Sequence, residues 1–215
     1  MNLVEQIKEN KIVSVIRGAS IENIIPIANA LFEGGVKTLE ITVETPKACQ
    51  IIEKVSDTFG DKMIIGAGTV LDAETARIAI MSGAKFIFSP TVNVKTIKMT
   101  KRYGVISIPG ALTPTEILTA YESGADIIKV FPAHAFGPGY LKSIHGPLPH
   151  IPLMPTGGVD LSNIQNYLKA GAFALGIGSS LVNTKNIGNA NFYSDLRNKA
   201  KLFSNETRNQ NGVSA

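Results

Sequence analysis

Within Ala125-Asp126-Ile127-Ile128-Lys129-Val130-Phe131-Pro132, the strand-like part is apolar except for one lysine near its carboxyl end. A run without polar alternation suits a strand buried on both faces. Packing gives no reason for an ammonium there, because burying one unpaired costs several kcal/mol. Desolvation lowers a lysine pKa, and a neutral amine can attack a carbonyl to form a Schiff base. Taken alone, the octapeptide also fits a lysine that snorkels to solvent or pairs with a carboxylate. The second group of interest is Glu40, which is reached through a repeat.

Four segments share a helix end, a Gly, a small residue and then a strand: Glu33–Glu40, Ser82–Phe88, Ser123–Lys129 and Ala170–Gly176. Their glycines Gly35, Gly83, Gly124 and Gly171 lie 48, 41 and 47 residues apart, a spacing that fits two strand–helix units. Further strands fill the gaps at Ile12–Ile16, Met63–Ala67, Val105–Ile108 and Ile151–Pro155, the last weakened by its prolines. Helices are expected at Ile21–Phe32, Pro46–Thr58, Ala73–Met81, Val94–Tyr103, Pro114–Glu122, Gly139–Ile144, Ser162–Lys169 and Phe192–Leu202. Eight strands each followed by a helix predict an α/β fold, a single-domain (β/α)8 TIM barrel over residues 1–203 with a polar, frayed tail over 204–215. An open doubly wound sheet is the alternative, but no nucleotide-type Gly-rich loop follows the first strand.

Five residues after each repeat glycine stand Glu40, Phe88, Lys129 and Gly176. If register is kept, the four share one interior layer, drawn from alternate strands, with the glycine leaving room for a ligand. A carboxylate and an amine inside one barrel cost stability, and at the carboxyl ends of strands they read as functional. Lys129 would attack a ketone and Glu40 would move protons, with no metal or other cofactor required. Thr156-Gly157-Gly158-Val159 and Gly178-Ser179-Ser180 follow the seventh and eighth strands, where backbone N–H groups suit an anion such as phosphate. Thr69 and Pro90 fall on the rim, and Arg17 ends the first strand, where a guanidinium could hold a carboxylate. His134, His145 and His150 lack metal-ligand spacing and read as loop residues, His134 nearest the site.

A chain of 215 residues with 44% hydrophobic and 18% charged residues can bury a sizeable core. The net charge of +4 is spread out, which favours small anionic ligands over nucleic acid. Its one cysteine, Cys49, leaves no disulfide framework. Met1–Lys11 is polar and amphipathic, and no apolar run approaches a membrane span, so the expectation is a soluble, cytoplasmic protein.

From about Lys11 to Val182 the chain resembles the 2-keto-3-deoxy-6-phosphogluconate (KDPG) and 4-hydroxy-2-oxoglutarate (KHG) aldolases. The resemblance rests on six motifs in order: Leu39-Glu40-Ile41-Thr42, Gly66-Ala67-Gly68-Thr69-Val70-Leu71, Phe88-Ser89-Pro90, Ile108-Pro109-Gly110, Lys129-Val130-Phe131-Pro132 and Pro155-Thr156-Gly157-Gly158. It implies a class I aldolase, an aldehyde-lyase on a (β/α)8 barrel, usually a homotrimer, serving the Entner-Doudoroff pathway. Such an enzyme releases pyruvate and glyceraldehyde 3-phosphate from the phosphorylated sugar acid, or pyruvate and glyoxylate from 4-hydroxy-2-oxoglutarate. By the same resemblance Lys129 is the imine-forming lysine and Glu40 the general acid/base. Thr69, Pro90, Phe131 and Thr156 surround the pyruvyl part, and Gly157, Gly158 and Ser180 contact phosphate; the family register selects Ser180 over Ser179.

One position departs from the pattern. Where the phosphogluconate enzymes typically carry an arginine, this chain has Glu44, which cannot bind a carboxylate; Arg17 is the substitute. The galactonate-type relatives carry an arginine similarly placed after the first strand, and Ala135-Phe136-Gly137-Pro138 with Tyr140 and Lys142 also resembles them. A 2-keto-3-deoxy-6-phosphogalactonate aldolase is therefore the alternative substrate reading. A sugar-phosphate epimerase or isomerase with Lys129 as an electrostatic group, and a non-catalytic sugar-phosphate sensor, are the rivals on the same fold.

Overall fold

A computed structural model describes residues 2–208 of the chain. The alternating apolar and amphipathic stretches become the units of a (β/α)8 barrel, all of whose strand pairs are parallel. The strands are β1 (Ile12–Ile16), β2 (Thr38–Thr42), β3 (Ile64–Gly68), β4 (Phe86–Phe88), β5 (Ile106–Ile108), β6 (Gly110–Ala111), β7 (Ile128–Val130), β8 (Leu153–Pro155) and β9 (Leu175–Ile177). The helices are α1 (Leu3–Asn10), α2 (Ile24–Glu33), α3 (Ala48–Phe59), α4 (Ala73–Met81), α5 (Val94–Arg102), α6 (Pro114–Glu122), α7 (Pro138–His145), α8 (Ile164–Lys169) and α9 (Phe192–Arg208).

Two of the nine strand segments are pieces of one stave. Pro109 separates β5 from β6 and has no N–H to give to a ladder. Its carbonyl still accepts from Lys129 N at 2.9 Å, and Ser107 O accepts from Asp126 N at 3.0 Å, so β7 runs beside both pieces. One ladder runs β5-β4-β3-β2-β1-β9 and the other β6-β7-β8; a bridge between Thr156 and Gly176 joins β8 to β9 and closes the ring. The eight staves match the number of strands expected.

Side chains alternate along a strand, and this parity decides what points inward. In β2, Leu39 and Ile41 pack in the layer under the helices, so Glu40 between them faces the barrel interior. In β7, Ile128 and Val130 do the same, which turns Lys129 inward above Ile127. The amino-terminal half of the interior is apolar, with Val13, Ile64, Phe86, Ile106 and Met154 packed together. The same cluster includes the fully buried Ile7, so α1 closes that end of the barrel. The polar interior groups are left facing the carboxyl end.

Four helix boundaries differ from expectation by two residues or more. The helix expected from Ser162 begins at Ile164, because Asp160 and Asn163 first build a turn in which Asp160 O accepts from Asn163 N and Ile164 N. Likewise, α2 and α3 start two to three residues later than the Ile21 and Pro46 expected from the pattern. The largest correction is at the carboxyl end, where α9 continues to Arg208 rather than ending near Leu202. Ser204 and Thr207, assigned to a frayed tail on polarity, are buried. Thr207 satisfies its hydroxyl on Ser204 O at 2.9 Å, and Gln165 Nε2 of α8 donates to Glu206 O at 2.5 Å. The remainder of that tail, 209–215, lies outside the described residues. Among the described residues no helix is long and apolar enough to cross a membrane.

Candidate active site

The carboxyl ends of the strands surround a cavity of about 290 Å³. All ten residues singled out from the sequence line it: Lys129, Glu40, Arg17, Thr69, Pro90, Phe131, Thr156, Gly157, Gly158 and Ser180. Strand parity and the ends of seven different staves bring them together from a span of the chain running from 17 to 180.

Lys129 is 7% exposed, with Nζ 4.1 Å from the centroid of the Phe88 ring and 4.5 Å from that of Phe131. Burial lowers its pKa to about 8; Glu40 pushes it up and Arg17 pushes it down. Glu40 is 1% exposed, and burial raises its pKa to about 7, against the pull of Lys129 and Arg17 and with a push from Glu44. Among the described residues no hydrogen bond or ion pair joins the two groups, and Glu40 Oε2 is buried without any partner. A carboxyl and an amine whose pKa values converge near neutrality, unpaired across one cavity, can exchange protons with a molecule placed between them.

Glycines make room for these side chains. A Cβ on Gly68 of β3 would lie 1.4 Å from Glu40 Oε1, so the carboxylate occupies space that any other residue would fill. The expected interior layer holds for Glu40, Phe88 and Lys129, but Gly176 does not leave space for a ligand. Thr156 fills it: a Cβ on Gly176 would lie 2.1 Å from Thr156 Oγ1. Thr156 is itself buried, with Oγ1 3.5 Å from Met154 O.

At the rim, Thr69 sits at φ 57, a left-handed conformation that is a genuine outlier for a β-branched residue. Its Oγ1 is 3.4 Å from Arg17 Nη2. Arg17 Nη1 also makes an ion pair with Glu44 Oε2, so the acidic departure holds the basic substitute.

The opposite end is built of backbone. Gly157 and Gly158 adopt φ +92 and +78. Among the described residues the amides of Gly158, Ser179 and Ser180 have no acceptor, so these donors remain unused at residues that line the cavity. The Ser180 hydroxyl already donates to Val159 O at 2.6 Å, so its amide is the free donor. His134 stands behind the Gly157–Gly158 turn: its N–H donates to Gly157 O at 3.1 Å, and it does not line the cavity.

Sequence reading missed Val15 and Asp160 in the lining. Alternation along β1 would have found Val15; Asp160 gave no signal beyond its helix-start role, and Ser162 N and Oγ bind its carboxylate. Among the described residues no three His, Cys, Asp or Glu side chains come together to hold a metal ion.

Residues 3–196 match the family model described as KDPG and KHG aldolase. The chain belongs to the KDPG and KHG aldolase family. Membership makes it an aldolase, a carbon–carbon lyase. It is 34% identical over 171 residues to the 2-dehydro-3-deoxy-6-phosphogalactonate aldolase of Escherichia coli, covering 79% of this chain and 83% of that protein. It is 38% identical over 162 residues to the 2-dehydro-3-deoxy-phosphogluconate aldolase of Pseudomonas aeruginosa, covering 75% and 73%. Among solved structures, the KDPG aldolase of Legionella pneumophila superposes with a TM-score of 0.86 at 30% identity, over 94% of this chain and 97% of that one. In that structure pyruvate was captured at low pH as a covalent carbinolamine intermediate. KDPG and KHG aldolases thus supply a solved covalent pyruvate adduct with which the cavity of this family member can be compared.

Proposed function

We propose that this chain is a class I aldolase that cleaves 2-keto-3-deoxy-6-phosphogluconate to pyruvate and glyceraldehyde 3-phosphate, or 4-hydroxy-2-oxoglutarate to pyruvate and glyoxylate. The observation that carries the reading is the buried, unpaired Lys129 and Glu40 facing one cavity. The unprotonated Lys129 Nζ adds to the substrate's C2 ketone, and the resulting hydroxyl leaves as water with a proton from the Glu40 carboxyl. The iminium that remains is a cation, and the faces of Phe88 and Phe131 beside Nζ stabilise it. Glu40, now ionised, takes the C4 hydroxyl proton; the C3–C4 bond breaks, its electron pair moves into the iminium, and the aldehyde departs. The enamine left behind takes that proton from Glu40 at C3, and water returns to release pyruvate and free Lys129.

Arg17 holds the substrate carboxylate, while Thr69, Pro90, Phe131 and Thr156 enclose the pyruvyl carbons. Gly157, Gly158 and the Ser180 amide receive the phosphate. The chain acts as a cytoplasmic homotrimer in the Entner-Doudoroff pathway, without a cofactor. A second substrate, 2-keto-3-deoxy-6-phosphogalactonate, is favoured by Arg17 after β1 in place of a base at 44, and by the identity to the Escherichia coli enzyme named for it.

Borohydride reduction in the presence of pyruvate, followed by intact mass and peptide mapping, tests the chemistry. A pyruvyl adduct on the peptide carrying Lys129 is expected. A folded protein that gives no adduct would sink the imine mechanism and return the epimerase and sensor readings.

A further inference from the structure

We infer that Glu44 is a positioning residue, which holds the Arg17 guanidinium at the cavity mouth so that one of its edges is presented to the substrate carboxylate. The inference rests on the reading of Arg17 given above. The two residues come from adjacent loops: Arg17 follows β1 directly, Glu44 lies two residues past β2, and the strands pair with Ile16 opposite Ile41.

The loop backbones are tied together independently of the ion pair. Gly18 N donates to the buried Thr45 Oγ1 at 3.1 Å, Thr42 Oγ1 and Thr45 Oγ1 lie 3.1 Å apart, and Thr184 Oγ1 donates to Arg17 O at 2.7 Å. With the backbone fixed, only the long Arg17 side chain is left to be oriented. Glu44 takes Nη1 and Thr69 Oγ1 takes Nη2, which sets the plane of the guanidinium. Five N–H donors sit on that group, so two such contacts leave donors for a bidentate carboxylate.

Stability does not explain the pair. Both side chains are more than half exposed, and exposed ion pairs contribute little to folding. Nor does Glu44 line the cavity; it reaches Arg17 from outside, where a carboxylate can orient the cation without meeting the substrate.

Steady-state kinetics on the aldol substrate with Arg17→Ala, Glu44→Ala, Glu44→Gln and the Arg17→Ala/Glu44→Ala double variant tests this. Arg17→Ala is expected to raise KM by about tenfold or more. Glu44→Ala should raise KM about three- to fivefold with little change in kcat and no change in melting temperature. Glu44→Gln, whose amide oxygen still accepts from Nη1, should recover most of the loss, and in the Arg17→Ala background Glu44→Ala should add nothing. If Arg17→Ala raises KM and Glu44→Ala leaves it unchanged or lowers it, the positioning role is wrong and the carboxylate reading stands. A Glu44 effect that persists without Arg17 overturns it equally. An unchanged KM in Arg17→Ala removes both.

Discussion

Glu40 and Lys129 are each held by burial against their preferred charge, and this can be read in stability as well as in rate. Below about pH 4.5 the Glu40 carboxyl is protonated in both the folded and the unfolded chain. Between about 4.5 and about 7 the folded chain keeps a proton that the unfolded chain has released, so folding stability falls as pH rises through that window. Glu40→Gln cannot ionise and escapes this loss. Thermal unfolding at pH 5 and pH 8 should show Glu40→Gln gaining on the native protein at the higher pH while losing turnover; an equal difference at both values would contradict the raised pKa. For Lys129, the neutral amine is the nucleophile, and its pKa of about 8 sets the rate of trapping. Pyruvate trapping should slow about tenfold per pH unit well below that value. Lys129→Ala should abolish trapping and leave the circular dichroism spectrum unchanged. The sequence pointed to Lys129 because a charge inside an apolar strand has no packing rationale, and to Glu40 because the repeat register puts it in the same layer. What it could not give was their separation, which is set by the diameter of the closed barrel.

At the level of elements, the site depends on space as much as on functional groups. Gly68→Ala would put a Cβ where the Glu40 carboxylate lies, forcing the acid/base group out of position. A loss of about a hundredfold or more in kcat is expected, with the fold retained; activity near the native level would show that Glu40 has another rotamer available. The six motifs and the strand repeat were legible in the sequence, including the Gly-rich end of β3. The filling of the Gly176 position by Thr156 was not, because it is a contact between neighbouring staves of the closed ring. The end of α9 was misread for a related reason. Ser204 and Thr207 are polar, but they sit on the face that carries the fully buried Ala200 and Phe203 against the barrel. Phe203→Ala should lower stability by about 3–5 kcal/mol in urea unfolding.

For the whole molecule, α1 seals the amino-terminal end of the barrel and the loops leave the carboxyl end open, so substrate enters from one side only. The exterior is not uniformly polar. On α4, Ile78 and Met81 are 56% and 71% exposed. Light scattering in solution tests the proposed homotrimer and should return three times the 22.9 kDa chain mass. A single-chain mass would remove the trimer while leaving the cavity, which is built within one chain, unaffected.

By itself the sequence determined the repeat, the number of staves, the inward parity of Glu40 and Lys129, and the family. These follow from local signals: a glycine that ends each helix, a period of two along each strand, and short motifs in fixed order. Tertiary structure alone decided that Glu44 pairs with Arg17, that Ser180 offers its amide rather than its hydroxyl, and that Asp160 joins the lining. Each of these is a relation between residues on different loops. Such contacts depend on where barrel closure brings those loops, and no spacing along the chain encodes that distance.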